Sequence, residues 1–483
     1  MSSNKEQSVP QAPAGDDTED VVTQQGRQGG RGNRVYADLS TGGIPRHLFR
    51  LAWPQVIEQT LNIIDQVIDM FWAGRLPGGF RALAGLGVAQ TFSQLGFMSR
   101  QGLEQSTRAM VSQAVGAGNL TLANRVALQA FAIMGVYSVV MILIGIFLTD
   151  IALNAIGASE AVHAQAAMYM RLQFIGMTGI SFRMTAASIL QASGDVLIPL
   201  RATTVARVLH IVMSPMFMFG WAGFPEMGLA GAAMANLLSQ LVGASVNLYM
   251  LFSGHTRLHL TMRGFRLDWG IIWRLVRIGA PASATGMERA LAQVFLLKIV
   301  SPFGDIAMAA YGMTRRLEMF ANFGGMGVGQ ATGIMVGQNL GAKRPDRARR
   351  SVAWGLVFVT AFKLLIAIPL VIFPTFVVLA FTKEPEVVSL TATWLRILAL
   401  AAVFMGLGVV FQQAFNVAGD TVTVMIVTLA VVLIEVPLGW LFSHPLGIGP
   451  LGIAWGNVIG MALRAAIFVP IYFRGRWLTR TVI

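Results

Sequence analysis

Residues 63–74 read IIDQVIDMFWAG, so two aspartates, Asp65 and Asp69, stand one helical turn apart in a run that is otherwise mostly Ile, Val, Met, Phe and Trp. Glu58 lies seven residues before Asp65. At about 100° per residue the three carboxylates fall within about 40° of one another on one helix face. Asp65 and Asp69 are separated by about 6 Å along the axis. Carboxylates cannot face lipid cheaply, so this face must look into a helix bundle or a watery cavity. Two acids so close do not both ionise readily, and a proton held there can be loaded from one side and released to the other. The chemistry this suggests is proton coupling. The alternative is that the acids pair with nearby arginines and only fasten helices together.

The elements that must position these acids are membrane helices. The chain has 483 residues, 55% hydrophobic and 12% charged, with mean hydropathy +0.63. Soluble domains carry about a quarter charged residues, so the composition is that of a polytopic membrane protein. The net charge of +13 is not a nucleic-acid patch, because the basic residues punctuate the ends of apolar runs. With no cysteine there is no disulfide framework and no thiolate metal site. Residues 1–44 are polar and are expected to form a disordered cytoplasmic tail. No apolar run follows the first few residues, so no cleavable signal is expected and the first spanning helix serves as the insertion signal.

Twelve spanning helices are predicted, at about 47–74, 82–115, 121–149, 160–192, 196–220, 229–253, 270–300, 306–339, 346–374, 386–417, 421–443 and 450–474. Connections on one side are rich in Arg and Lys, notably Arg257 to Arg277, Lys343 to Arg350 and Arg474 to Arg480. The other side has Arg75, Arg81 and Lys383. The rich side is expected to be cytoplasmic, with both termini there, in the inner (plasma) membrane.

The two halves repeat. ALAGLG (82–87) matches AMAAYG (307–312), and VSQAVGAGNLTLANR (111–125) matches VGQNLGAKRPDRARR (336–350), both 225 residues on (312 − 87 and 336 − 111). Arg171 pairs with Arg396, and Gly194-Asp195 with Gly419-Asp420, at the same offset. The expected fold is therefore all-α, with two six-helix bundles in a parallel repeat: an N-lobe over 45–254, a linker over 255–268 and a C-lobe over 269–483. Such repeats enclose a central site and rock against each other in secondary transporters.

Taken in order, the motifs resemble the multidrug and toxic compound extrusion (MATE) family over essentially everything after the tail. They are LAWPQVIEQ and IDMFWAGRL on the first helix, VGAGN and VGQNLGAKRPDRA after the second and eighth, QASGDVLIP and NVAGDTVTV after the fourth and tenth, and SPMFMFG followed by GLAGAAMAN. The resemblance implies export of amphipathic, usually cationic compounds, driven by inward H⁺ or Na⁺. It implies no cofactor, a small-molecule substrate, the bilayer as environment and a monomer. It also makes Asp69, fifteen residues after Pro54, the ion-coupling acid, with the helix bending near Pro54; a missing backbone hydrogen bond makes that bend physically reasonable. Asp65 and Glu58 stand outside the family pattern and either tune Asp69 or contact substrate.

On the fifth helix many relatives carry Asn-x-x-x-Asp-Pro, whereas this chain has His210-Ile-Val-Met-Ser214-Pro215. Asn236 takes the place of a sixth-helix Thr of the same ion site. Imidazole does not suit a hard cation, so the site leans towards H⁺ over Na⁺. His210 either exchanges a proton with Asp69 or is a structural histidine bonded to backbone. Glu58, Asn62, Glu288 and Glu435 are the candidates for the substrate cavity, and Glu318 is expected to pair with Arg315 or Arg316. The intramembrane arginines Arg100, Arg108, Arg171, Arg183, Arg207, Arg289 and Arg396 either pair with acids and carbonyls or line a cavity for an anionic cargo. A flippase for an anionic lipid-linked precursor is thus the alternative function. Gly194 and Gly419 are expected to end helices, with Asp195 and Asp420 capping the next ones. An intramembrane enzyme is disfavoured, because no His-Glu-x-x-His, Asp-Asp-x-x-Asp or nucleotide-binding motif occurs.

Overall fold

The computed structural model describes residues 38–76, 79–155, 160–480 and 482–483, without the side chains of a few helical positions, those of 63–66 among them. The expected tail therefore lies outside the described residues, apart from residues 38–44. Twelve long helices occupy the described residues: α1 Ile44–Ala73, α2 Gly79–Gly116, α3 Leu120–Phe147, α4 Glu160–Ser193, α5 Leu197–Phe219, α6 Leu229–Phe252, α7 Trp269–Val300, α8 Asp305–Gly341, α9 Pro345–Ile372, α10 Pro385–Val417, α11 Thr421–Ser443 and α12 Leu451–Arg474. Boundaries fall within a few residues of those read from hydropathy. Short helices at Thr149–Ala155 and Pro374–Leu379 follow α3 and α9, and their starts are again 225 apart (374 − 149).

Packing repeats as the sequence does. In the first half α4 packs on α2, α3 and α6, and α6 on α5; in the second α10 packs on α8, α9 and α12, and α12 on α11. The halves then cross over, with α1 against α8 and α7 against α2. In α3 and its mate α9 only 22% of the most apolar stretch is buried. Both are peripheral helices whose apolar surface faces lipid. By contrast α1, α2, α4, α7 and α8 are not among the seven described helices apolar enough to qualify as spans on composition alone. These are the helices that carry most of the intramembrane acids and arginines, and their polar faces turn inward.

The basic end of the bundle is sealed between the halves. Gln113 at the end of α2 donates to the Val417 carbonyl of α10 at 2.9 Å, and Gln338 at the end of α8 donates to the Ala192 carbonyl of α4 at 2.8 Å. The two bonds are repeat images (338 − 113 and 417 − 192 both give 225). The close approach needs glycine, since a Cβ at Gly116 would collide with the backbone of Gln338, and one at Gly341 with that of Gln113. Chain ends reinforce the seal. Gln113 accepts from the Val482 amide at 3.2 Å, while Arg344 and Arg347 donate to carbonyls of Leu39, Ser40 and Thr41.

The Gly-Asp loops correct an expectation. Gly194 and Gly419 do adopt left-handed backbone, with φ of 101° and 87°. Asp420 makes no side-chain cap to the helix that follows it. Asp195 accepts from the Arg257 amide at 3.3 Å, and Asp420 binds Arg480 at 2.7 Å. Each carboxylate thus binds the segment that follows the last helix of its own half.

Because the native chain has no cysteine, a single Cys can report on the seal. A Cys at Ala192, buried at the seal, is expected to react about thirtyfold faster with an impermeant maleimide in the Gln113→Ala/Gln338→Ala background, since two hydrogen bonds of about 1 kcal/mol each are lost. An unchanged rate would show that the glutamines do not hold the halves together.

Candidate functional site

The first-half site is built on α1, α4, α5 and α6. Along α5, Thr203, Arg207, His210 and Ser214 recur at intervals of four, three and four residues, so they share one face. That face is buried, and α5 packs on α1 and α6. His210 Nε2 lies 3.1 Å from Asp69 Oδ1, with the histidine side chain 0% and the aspartate 5% exposed. Tyr169 of α4 is buried within electrostatic reach of Asp69. Ser214 hydrogen-bonds Met218 Sδ at 3.4 Å, and Asn236 accepts from Gln240 at 3.1 Å. Two members of the inferred ion site thus face each other, and two are engaged elsewhere. The Asp65 side chain lies outside the described residues.

About three turns from Asp69 on the basic-end side, Glu58 is 3% exposed. It accepts from Gln191 of α4 at 2.9 Å and from Thr203 of α5 at 3.2 Å. The Thr203 oxygen in turn accepts from Arg183 at 2.7 Å, and Arg183 also donates to Gln240 at 2.6 Å. Asn62 accepts from Arg207 at 3.1 Å and Arg183 at 3.5 Å. Arg108 of α2 is within electrostatic reach of Glu58 and donates to Gln105 at 3.3 Å. Glu58 and Asn62 are therefore members of a polar network that joins four helices. Gln191, Thr203 and Gln240 escaped sequence reading because uncharged polar residues give no cost signal in a hydropathy plot. The signal that could have found them is their helical register with Arg183 and Arg207.

The described cavity lies towards the second half. It has a volume of about 580 Å³ and is lined by α2, α7, α8, α10, α11 and α12. Arg289, Arg315, Arg316 and Arg464 line it against Glu288, Glu318 and Glu435. Arg315 and Glu318 form an ion pair at 2.6 Å. Glu288 is half-buried and Glu435 is 5% exposed. Other intramembrane arginines take protein partners: Arg100 pairs with Glu104, Arg171 with Asp150 at 2.5 Å, and Arg396 donates to the Val371 carbonyl. Arg464 escaped sequence reading through its nearness to the basic C-terminus, although it lies ten residues, about 15 Å, inside the end of α12.

A bundle of twelve long helices in two repeated halves, with paired charges buried inside and a polar cavity between helices, defines a polytopic membrane transporter, not an enzyme. A model of the MatE family matches residues 54–216 and 281–441. The chain belongs to the MatE family, the MATE transporters. It is 22% identical over 442 residues to the probable multidrug resistance protein NorM of Thermotoga maritima, covering 91% of this chain and 94% of that one. It is 24% identical over 410 residues to the FAD transporter of Shewanella oneidensis, covering 84% of this chain and 90% of that one. Its fold matches that of a MOP superfamily transporter from Pyrococcus furiosus with TM-score 0.86 at 22% identity, over 93% of this chain and 100% of that one.

Removing Glu58 would leave the donors of Gln191 and Thr203 without their acceptor and take away the buried negative charge within reach of Arg183 and Arg108. Glu58→Leu is expected to destabilise the protein by about 3 kcal/mol, read as a lowered midpoint of unfolding in detergent, with Glu58→Gln intermediate. Equal midpoints for all three proteins would remove Glu58 from the structural network.

Proposed function

We propose that this chain is a secondary active antiporter that exports amphipathic organic compounds in exchange for H⁺, by alternating access. The observation that carries the coupling ion is the buried contact between Asp69 and His210 at 3.1 Å. A carboxylate and an imidazole at that distance share one proton well: protonated, the pair is an ion pair in a dry site, and deprotonated it retains an uncompensated carboxylate. The second state is stable only if water or a cation reaches it, so proton loss is tied to opening of the site. An imidazole nitrogen beside the carboxylate also replaces an oxygen that a hard Na⁺ would require.

In this reading residues 45–254 and 269–483 are two lobes joined by 255–268, and the glutamine seal closes the cytoplasmic end. The basic connections support a cytoplasmic location for both termini, in the inner membrane. Protonation of Asp69 acts through α1, which contains Pro54 and packs on α8 of the other half. The multidrug resistance name of the Thermotoga relative supports xenobiotic cargo. Simple cations are not favoured by the cavity, where four arginines stand against three glutamates. For the Pyrococcus furiosus transporter, reverse polarity of the binding pocket suggests a different function, and that precedent supports departure from cationic drugs here too.

Everted vesicles test the coupling. With ethidium and 1-naphthoate as cargoes, wild type is expected to transport at least one when the interior is acidified, and Asp69→Asn to lose at least about tenfold of that rate, the usual scale for removing a positioned proton carrier. His210→Asn should retain some transport with an altered pH profile. Undiminished ΔpH-driven transport by Asp69→Asn would refute the assignment, as would a Na⁺ gradient that alone sustains the wild-type rate.

A further inference from the structure

The cavity contains more charge than its ion pairs consume. Arg315 and Glu318 satisfy each other at 2.6 Å. Among the described residues no ion pair within 4.0 Å engages Arg289 or Arg464, nor Glu288 or Glu435. Arg464 is 6% exposed, lines the cavity from α12, and has one nitrogen on the Gln412 carbonyl oxygen. Its Nε has no hydrogen-bond partner. Gln412 fixes the guanidinium plane, which leaves donors unspent beside the cavity. Arg289, on α7, is close enough for the two positive charges to act on each other, and Glu288 and Glu435 are within the same range.

Such an arrangement is costly while it is empty of ligand. Two guanidinium groups that line one cavity within electrostatic reach of each other repel, and an unpaired buried donor forfeits its hydrogen bond. The two glutamates reduce the repulsion at a distance but supply no direct bond. A planar or tetrahedral oxyanion does both, because guanidinium forks match carboxylate and phosphate geometry. The surrounding surface adds an apolar body: Phe97, Met319, Met326, Met405 and Met461 line the same space, and methionine repacks around varied shapes.

We propose that this cavity holds its substrate by a carboxylate or phosphate set between Arg464 and Arg289, so that the transported compounds are amphipathic molecules with at least one anionic group. Glu288 and Glu435 then face the remainder of the ligand, where an amine would be accepted in a zwitterion. This rests on the reading of the chain as an exporter with its cargo in this cavity, and it specifies the class of that cargo.

The test is calorimetric titration of the purified full-length protein in neutral detergent, with 1-naphthyl phosphate, 1-naphthoate and 1-naphthylmethylammonium as size-matched probes. At least one anion is expected to bind about tenfold more tightly than the cation, and the phosphate and carboxylate arms tell which oxyanion the site prefers. Arg464→Gln and Arg289→Gln should each weaken that anion about tenfold, the scale of a charge-assisted hydrogen bond. Arg289 is half-buried, so its variant carries the test if Arg464→Gln does not fold. Cation binding as tight as anion binding, or anion affinity within twofold of wild type in Arg289→Gln, would overturn the proposal. If the anions fail to bind while ΔpH still drives ethidium transport, the anion site is wrong and the antiport reading stands. If an anion binds through Arg289 but no ΔpH drives any cargo, the anion site stands and the antiport reading fails.

Discussion

Charge inside a helix bundle that spans a bilayer must be met by charge, hydrogen bond or water within a few ångströms, and the fold of this protein is arranged around that requirement. The acids on α1 would be intolerable on a lipid-facing surface. They fix which face of α1 turns inward, and so which helices must lie opposite. Glu58 is met by Gln191 and Thr203, and beyond them by Arg183. Asp69 is met by His210. The difference between these two solutions separates structure from function. Glu58 has several fixed donors from two helices, so moving it would break all of them together. Asp69 faces the imidazole of His210, so its surroundings can change without rebuilding the Glu58 network.

The repeat gives this network its setting. Gln113 and Gln338 occupy equivalent places and reach equivalent carbonyls in the opposite half. A seal built of two identical bonds and two glycine contacts is specific in geometry but modest in energy, about 1 kcal/mol per hydrogen bond. That magnitude suits a gate. An interface held by a large apolar surface would be too stable to open on each cycle, whereas a few hydrogen bonds of that size can be offset by one change of charge at a buried site.

Much of the fold was legible in the sequence because membrane spans announce themselves by length and composition, and because a constant offset of 225 exposes the repeat. The Asp69–His210 contact was legible only in part: its members were identified by resemblance, and their distance needed the packing of α5 on α1. The aspartate of the second Gly-Asp loop was misread, since capping is a local pattern while the donor that binds Asp420 arrives from residue 480. The glutamine seal was invisible for the same reason. Gln113 and Gln338 look like ordinary polar residues near helix ends until the halves are brought together. Arg464 was hidden by position, its burial following from the neighbours of α12 and not from α12 itself.

The ion pair and the cavity occupy different halves, and this places a demand on how they communicate. Asp69 lies among α1, α4 and α5, while the cavity is lined by second-half helices and α2. Contact between them runs through the crossed helices. α1 packs on α8, where Gln59 donates to Gln330 at 3.3 Å, and α2 packs on α7. On α2, Arg108 is within reach of Glu58 and donates to Gln105, whose side chain lines the cavity. A cargo that draws on Gln105 or displaces α2 therefore perturbs the charge balance around Glu58, one helix face from Asp69. On the proposed reading, protonation of Asp69 would act on α8 through α1 and so reach the opposite wall of the cavity. Coupling between proton and cargo would then run through α1 and α2, which the halves share, and would be reciprocal as any linkage must be.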